Sequence, residues 1–199
     1  MIQPNDHNVF FLRQRIRPVI NQYEFTLTND EPVCFVEQKR FKFKEDIRFY
    51  ADDSKGEELM RLKARQRFDP AARYDVTDAS GAPIGQIQKV FGASLLRSTY
   101  TLFDASGNET AKVTEKSLSV ALFRRLVGFV PIIGGFADLL PIPYHFVFKR
   151  GDEVLGSHIR QAFKIRDTYT LDFTGDPGRT LDRRMVLATA VGLDALQAR

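Results

Sequence analysis

The segment from Met185 to Leu193 is the feature that most restricts how this chain can fold. It reads MVLATAVGL, carries no charge, and has Thr189 as its only polar side chain. At about 100° per residue these side chains cover every face of a helix, and a helix that is apolar all round has to be enclosed. Its nine residues would rise about 14 Å, roughly half of a hydrocarbon core, so the segment is too short to span a membrane.

The local sequence does little to favour this helix. It contains two valines and a glycine, which are mediocre or poor helix formers. The arginines at its start and Asp194 near its end oppose the helix macrodipole. We therefore expect tertiary burial to hold a helix at about 182–197. A final strand in a sandwich core is the alternative, but Ala188, Ala190 and the glycine favour the helix.

An identical tetrapeptide, Asp-Ala-Ser-Gly, occurs twice in the chain. It spans 78–81 and 104–107, each time between two alternating runs, and these repeats begin at Tyr74 and Tyr100. Aspartate and serine cap local backbone groups, and glycine supplies the positive φ that a tight hairpin needs. Each repeat therefore predicts a strand, a turn and a second strand.

Related patterns extend this arrangement along most of the chain. Looser hairpin copies begin at Phe49, Phe146 and Tyr169, and alternating runs occupy 22–28 and 34–43. Together they predict ten or more strands in an antiparallel meander. Closure into a barrel removes the exposed edges of such a sheet. A barrel of this size is too wide for its own side chains to fill, so we predict a mainly β protein with the C-terminal helix inside a closed barrel.

Length, cysteine content and the N-terminus set outer bounds on the class of protein. A chain of 199 residues suits a single domain, which we place at 1–199. The single cysteine, Cys34, cannot form an internal disulfide, and we interpret it as a buried thiol in a reducing compartment. The first fifteen residues lack the pattern of a secretory signal, so we expect a cytoplasmic location.

Three stretches of the chain resemble the LURP-one-related family. They are QKRFKFKEDIRFYADDSKGEELMRLKAR, YDVTDASGAPIGQIQKV and DRRMVLATAVGLDAL, and the resemblance covers roughly 23–196. This family belongs with the tubby-like and phospholipid scramblase proteins. The resemblance implies a twelve-stranded barrel wrapped around a hydrophobic C-terminal helix. It also implies lipid-related functions, because tubby-like proteins bind phosphoinositide headgroups and scramblases move lipids between leaflets.

The chain departs from the scramblases in three respects. It has neither their proline-rich N-terminal tail nor their cysteine cluster. Their acidic calcium-binding stretch is reduced here to Asp172, Asp176 and Asp182. Three carboxylates are too few for a calcium cage, which takes six or more oxygen ligands. We therefore predict no metal site and no cofactor.

Two basic stretches are the sharpest candidate for a ligand site. Residues 39–73 hold eleven basic and seven acidic residues, which alone accounts for the formal net charge of +4. In KRFKFK and RLKARQRF the cations alternate with apolar residues and so share one strand face. They are Arg40, Lys42, Lys44, Arg61, Lys63, Arg65 and Arg67. We predict that this face holds an anionic headgroup. The alternative is a solvated barrel exterior, neutralised by Glu45, Asp46, Glu57 and Glu58.

A second candidate is the break in the hairpin pattern at about 117–146. Three prolines and three glycines between residues 128 and 143 rule out one continuous transmembrane helix. We predict an apolar excursion over 126–148, preceded by two arginines. It would cap a barrel mouth, dip into a membrane interface, or contact a second copy in a homo-oligomer. The candidate contact residues are Arg124, Arg125, Phe129, Ile132, Ile133 and Phe136.

The sequence carries no familiar catalytic motif. It has no nucleophile elbow, P-loop, zinc-protease or dinucleotide-binding signature, so we predict no enzyme. Nucleic acid is disfavoured because the aromatic residues of the basic strands face away from the cations. We therefore expect a peripheral membrane module, at the inner membrane face, that binds anionic phospholipid or phosphoinositide headgroups. The alternatives are an interaction protein that oligomerises through 126–148 and scramblase-like lipid translocation.

Overall fold

Twelve strands and one α-helix make up the described part of the protein. The computed structural model describes residues 2–16, 20–39, 46–65, 73–90, 98–116, 145–161 and 168–197. The strands are β1 Val9–Ile16, β2 Ile20–Thr26, β3 Pro32–Lys39, β4 Asp46–Tyr50, β5 Glu58–Ala64, β6 Arg73–Asp78, β7 Pro83–Val90, β8 Thr99–Asp104, β9 Glu109–Glu115, β10 His145–Arg150, β11 Glu153–Arg160 and β12 Thr168–Asp172. A short 3₁₀ turn, Pro4–Asp6, precedes β1, and the helix α1 spans Arg183–Gln197.

The strands form a closed antiparallel barrel in chain order. Each strand pairs with the next, and β12 pairs with β1 to close the sheet, with Val9 opposite Asp172 and Arg13 opposite Thr168. Closure leaves no free sheet edge among the described strands. The predicted fold class, a mainly β closed barrel with a C-terminal helix, is confirmed.

Three details of the sequence prediction were wrong or incomplete. The strand β1 was not predicted at all. The hairpin predicted from Tyr169 has only its first strand, β12, because 173–182 leads into the helix without a second strand. The predicted apolar excursion over 126–148 was wrong at its C-terminal limit, since His145 begins β10 and both Phe146 and Phe148 lie in the core. The rest of that prediction lies outside the described residues.

The repeated Asp-Ala-Ser-Gly segments form the turns that the sequence predicts. Gly81 and Gly107 have φ of 88° and 85°. A carboxylate oxygen of Asp78 accepts hydrogen bonds from the backbone amides of Ser80 and Ala82, both at 2.9 Å. Asp104 accepts equivalent bonds from the amides two and four residues further along the chain. The carboxylate thus satisfies the turn amides, while glycine adopts the backbone angle that other residues resist.

The apolar segment that restricts the fold lies inside the barrel. Every residue from Met185 to Leu193 is buried, and the hydrophobic side chains among them are at most 2% exposed. Twelve strands about 4.8 Å apart and tilted by about 40° enclose a backbone diameter of about 24 Å. A helix with its side chains is about 10–12 Å wide. The remaining shell of about 6 Å is one layer of inward-pointing side chains.

Two glycines bring the helix close to the barrel wall and show its direction. A Cβ on Gly85, near the start of β7, would lie 2.8 Å from the sulfur of Met185. A Cβ on Gly192, late in the helix, would lie 3.4 Å from a methyl carbon of Leu62, near the end of β5. The starts of odd-numbered strands lie at one end of the barrel and their ends at the other. The helix therefore runs along the barrel from the first of these ends to the second.

Arg183 fixes the start of the helix. Its side chain is fully buried, and all five of its guanidinium N–H groups have an acceptor. The acceptors are a carboxylate oxygen and the carbonyl of Asp176, the carbonyls of His7 and Leu181, and the side-chain oxygen of Asn8, at 2.8–3.2 Å. The guanidinium also lies 5.2 Å from the ring centroid of Phe173. One side chain therefore ties the helix to the N-terminal segment and to the loop after β12.

The pKa of Asp176 reflects this arrangement. Burial alone would raise the pKa of its carboxyl group. The hydrogen bonds from the Leu181 amide, from Arg183 and from Thr180 outweigh burial and lower it to about 2. The carboxylate therefore stays charged and paired with Arg183 at 2.8 Å throughout the neutral range.

Candidate functional site

The two ends of the barrel differ sharply in charge. Odd-numbered strands end, and even-numbered strands begin, at what we call the basic end; the opposite end is the acidic end. We compared the two outermost residues of each strand, with any described residue directly beyond them. The basic end holds eight basic residues, Arg15, Lys39, Lys63, Arg65, Arg73, Lys89, Lys116 and Arg160, and two acidic ones, Asp46 and Glu115.

By the same comparison the acidic end is the reverse. It holds nine acidic residues, Glu31, Glu57, Glu58, Asp78, Asp104, Glu109, Asp152, Glu153 and Asp172, and two basic ones, Lys149 and Arg150. Hydrogen bonds from Ser80 and from Asn108 lower the pKa of Asp78 and of Asp104 respectively. These turn carboxylates therefore stay ionised, and the charge separation along the barrel axis persists across the physiological pH range.

The connections outside the described residues all join strands at the basic end. They are 17–19, 40–45, 66–72, 91–97, 117–144 and 162–167. Arg40, Lys42, Lys44 and Arg67 belong to these connections, as do Arg124, Arg125, Phe129, Ile132, Ile133 and Phe136. These predicted contact residues lie outside the described part of the chain, and their roles stay predictions.

The described cations of the predicted headgroup site lie on the outer face of β5, with acidic neighbours. Arg61 stands directly opposite Arg48 of β4, a like-charged pair that would be destabilising alone. Glu58 accepts hydrogen bonds from both arginines, at 2.8 Å from Arg61 and 3.5 Å from Arg48. Asp46 lies 3.3 Å from Arg48 and 3.8 Å from Arg61. The four side chains form a balanced network on the barrel wall.

The other two described cations of this site also stand near carboxylates. The Nε of Arg65 donates to both carboxylate oxygens of Asp75, at 2.8 and 2.9 Å. Lys63 is exposed and stands in register between Asp46 of β4 and Asp75 of β6. The first basic stretch follows β3 in the chain and the second lies on β5, and these two strands are not hydrogen-bonded neighbours, because β4 separates them. As an anion site this part of the wall stays a prediction, and its described charges are largely balanced.

The charge of the barrel ends also complements the enclosed helix. The helix begins at the acidic end, where its macrodipole is positive, and runs toward the basic end, where it is negative. The sequence analysis found only that charges near the helix ends oppose the dipole. The ends of the barrel provide the missing compensation. A purely structural role for the charge separation is therefore a real alternative to a binding role, and stability measurements can tell them apart.

His158 is the most unusual titratable group in the barrel interior. It is 2% exposed, and its ring centroid lies 4.8 Å from that of Tyr169 and 6.4 Å from that of Phe146. Neither ring nitrogen has a hydrogen-bond partner among the described residues. Burial, with a smaller contribution from the charge of His145, lowers its pKa to about 3. The ring is therefore neutral and stacked among aromatic residues.

The described residues contain neither a cluster of metal ligands nor a helix that could span a membrane. No group of three or more histidine, cysteine, aspartate or glutamate side chains there is arranged to hold a metal ion. Within the same part of the chain, no helix combines the length and the hydropathy needed to cross a membrane. Cys34 is buried, and burial raises the pKa of its thiol well above the ordinary value, so it stays protonated.

These features define a class: a closed twelve-stranded barrel that encloses its own C-terminal helix and carries opposite charge at its two ends. The chain belongs to the LURP-one-related family, whose model matches residues 33–194. The predicted family is thereby confirmed, and the match covers most of the barrel and nearly all of the helix. No curated protein matches the chain closely enough to add a relative of known activity.

The sequence analysis missed the charged ends as candidate functional surfaces. It ranked cations by how densely they follow one another, which selected residues 39–73. Arg73 was counted there only as a boundary, and Lys89, Lys116 and Arg160 were not selected, because each is a single basic residue at the end of a different strand. The available signal was the alternation of acidic turns with basic connections along the meander.

Proposed function

We propose that this protein is a non-enzymatic tubby-like barrel that binds anionic phospholipid surfaces as a peripheral membrane module at the inner membrane face. The observation that carries the proposal is the excess of eight basic over two acidic residues at the basic end. Glu115 is only 2% exposed, so the surface imbalance there is larger still. Anionic headgroups are the broad, negatively charged surface that such a ring of cations fits.

The electrostatic attraction between the basic end and an anionic leaflet is strong enough for reversible binding. A lysine or arginine close to an anionic leaflet contributes about 1 kcal/mol. Two cations of the excess of six, Arg15 and Arg65, are paired with Glu24 and Asp75, which lie outside this count. The remaining four charges give on the order of 4 kcal/mol, which corresponds to a dissociation constant of about 1 mM. The field falls off over about 8 Å at physiological ionic strength. Binding should therefore weaken steeply as salt is added.

In its more specific form, the proposal is that the barrel prefers phosphoinositides to other anionic lipids. Their headgroups carry more charge than phosphatidylserine, and arginine forks suit phosphate oxygens. Arg73 and Arg160, at the basic end of two different strands, supply such forks. We therefore expect vesicles with phosphoinositide to be bound more tightly than vesicles with phosphatidylserine at equal lipid charge.

Co-sedimentation with vesicles tests the proposal. The wild-type chain is mixed with phosphatidylcholine vesicles containing either no anionic lipid or 30% phosphatidylserine, at rising salt. The test variant is Arg73→Glu with Lys116→Glu, two exposed residues of the basic end. The matched control is Lys112→Glu with Lys149→Glu, which makes the same change in net charge at exposed positions of β9 and β10, nearer the acidic end.

Loss of two cations costs about 2 kcal/mol, and the two added carboxylates are repelled by the membrane. We therefore expect the test variant to bind anionic vesicles about 100-fold more weakly than wild type, with the control variant affected much less. Equal binding to neutral and anionic vesicles would contradict the proposal. Loss of binding in both variants would reduce it to an effect of net charge. Thermal unfolding of both variants addresses the structural alternative: if the charged ends only stabilise the helix, the test variant loses stability and binding follows stability.

The two alternatives from the sequence have their own measurements. Self-association through the 126–148 segment predicts that shortening 127–143 converts an oligomer to a monomer in light scattering. Lipid translocation predicts that the chain accelerates exchange of dye-labelled lipid in proteoliposomes. A monomer that exchanges no lipid but binds anionic vesicles supports the peripheral module.

A further inference from the structure

We propose that the barrel docks end-on: its basic end faces the bilayer, its axis stands along the membrane normal, and its acidic end faces away. This inference rests on the proposed function and names the surface that carries it. Of the predicted headgroup site, Lys63 and Arg65 belong to the basic end, whereas Arg61 lies midway along β5 on the wall. The other four predicted cations lie outside the described residues.

The described wall gives little reason for side-on docking. Midway along β4 and β5, Arg48 and Arg61 lie within ion-pair distance of Asp46 and Glu58. Exposed pairs of this kind already satisfy each other, so the net field beside the wall is small. A lipid headgroup there would have to compete with a carboxylate that is already in place.

The acidic end disfavours any orientation that brings it close to an anionic bilayer. A strand of about seven residues, tilted by about 40°, separates the two ends by about 18 Å. That distance is more than twice the screening length of about 8 Å at physiological salt. An anionic surface therefore responds mainly to whichever end is nearer. The acidic end is repelled, and the basic end is attracted.

Exposed apolar side chains agree with this orientation. Among the described residues, the large hydrophobic side chains classed as exposed are Val90, Val154 and Ile159. Val90 and Ile159 lie at the basic end, on β7 and β11, and Val154 lies at the acidic end. Two apolar side chains that project among cations at the basic end can enter the headgroup region, while the cations contact phosphate.

These valines also provide a matched pair of positions for a test. Val90 is 39% and Val154 is 49% exposed, so both accept a probe without entry into the core. The only cysteine, Cys34, is buried and is replaced by alanine. Cysteine is then introduced as Val90→Cys or as Val154→Cys and labelled with an environment-sensitive fluorophore. A third probe at Arg61→Cys, midway along β5, reports on the wall.

The measurement is the emission of each probe as vesicles with 30% phosphatidylserine are added, with co-sedimentation of the same labelled proteins. End-on docking predicts a blue shift and an intensity rise of twofold or more at position 90, and no change at position 154. Position 61, three residues from either end of its strand, should respond less than position 90. Equal responses at 90 and 154 would overturn the orientation while leaving lipid binding intact. Absence of co-sedimentation would overturn the proposed function itself, and a response at 154 alone would place the wrong end at the membrane.

Discussion

The start of the central helix should be the most sensitive point of the fold. Arg183 is fully buried and donates five hydrogen bonds, two of them to Asp176. Replacing Arg183 with methionine keeps much of its volume but leaves the Asp176 carboxylate buried without a counter-charge. Removing one partner of a buried ion pair costs about 3–5 kcal/mol. The pKa of Asp176, about 2 against an ordinary 3.8, shows that the amides of Leu181 and Thr180 and the side chains of Arg183 and Thr180 together favour the charged carboxylate, so only part of this stabilisation is lost with Arg183.

Urea denaturation measures this cost. With a slope of about 2 kcal/mol per molar urea, Arg183→Met should lower the midpoint by about 1.5–2.5 M. The neighbouring Arg184 is a matched control, because it is 40% exposed and pairs only with Asp182 among the described residues. Arg184→Met should shift the midpoint by 0.5 M or less. Asp176→Asn should recover part of the loss when combined with Arg183→Met, because it removes the unpaired charge. Equal midpoints for the two arginine variants would refute the reasoning.

Two further predictions concern the barrel interior. Because the pKa of His158 is about 3 in the folded protein and about 6.5 when exposed, its neutral form is favoured by folding, so stability should fall as pH drops from 6.5 toward 3, by about 1.4 kcal/mol per pH unit. His158→Phe keeps an aromatic ring in the stack, and the denaturation midpoint of this variant should depend less steeply on pH between 6.5 and 4. Parallel plots of midpoint against pH for the variant and the wild type would contradict this. A Cβ on Gly85 would clash with the Phe103 carbonyl oxygen, whereas one on Gly56 would meet only Ser54, at 3.5 Å. Gly85→Ala should therefore cost about 1–3 kcal/mol and Gly56→Ala little, and similar thermal midpoints for both would remove the argument for close packing against Met185.

Much of the fold follows from two regularities of the sequence. The Asp-Ala-Ser-Gly repeats predict their hairpins because the local chemistry of the turn decides the structure there. The segment Met185–Leu193 predicts an enclosed helix because no exposed position suits it. Both inferences are local and need no knowledge of how distant parts of the chain meet.

The parts that were missed depend on tertiary contacts. In β1, Phe11 faces outward and Gln14 is buried at 7% exposure, so the alternation that marks a strand is broken. The segment 173–182 has the composition of a hairpin, but Asp176 and its neighbours form the pocket for Arg183. The role of this segment as the binding pocket for Arg183 is evident only in the folded barrel.

The candidate site was predictable in kind but not in position. An excess of cations and a resemblance to lipid-binding families indicate an anionic partner. Which cations act together depends on strand order, because residues such as Lys89 and Lys116 share an end of the barrel only once all twelve strands are placed. The dense run near β5 was more conspicuous in the sequence, yet Arg61 and Arg65 in it are paired with carboxylates.

Hydrogen exchange of the unmodified chain, with and without phosphatidylserine vesicles, shows which end of the barrel meets the membrane. We expect slower exchange on vesicle addition at the basic end, at Ser98, Lys116 and Gln161, and unchanged exchange in the turns 79–82 and 105–108 at the acidic end. Slower exchange in those turns, or an identical pattern with neutral vesicles, would contradict a barrel that meets an anionic membrane with its basic end.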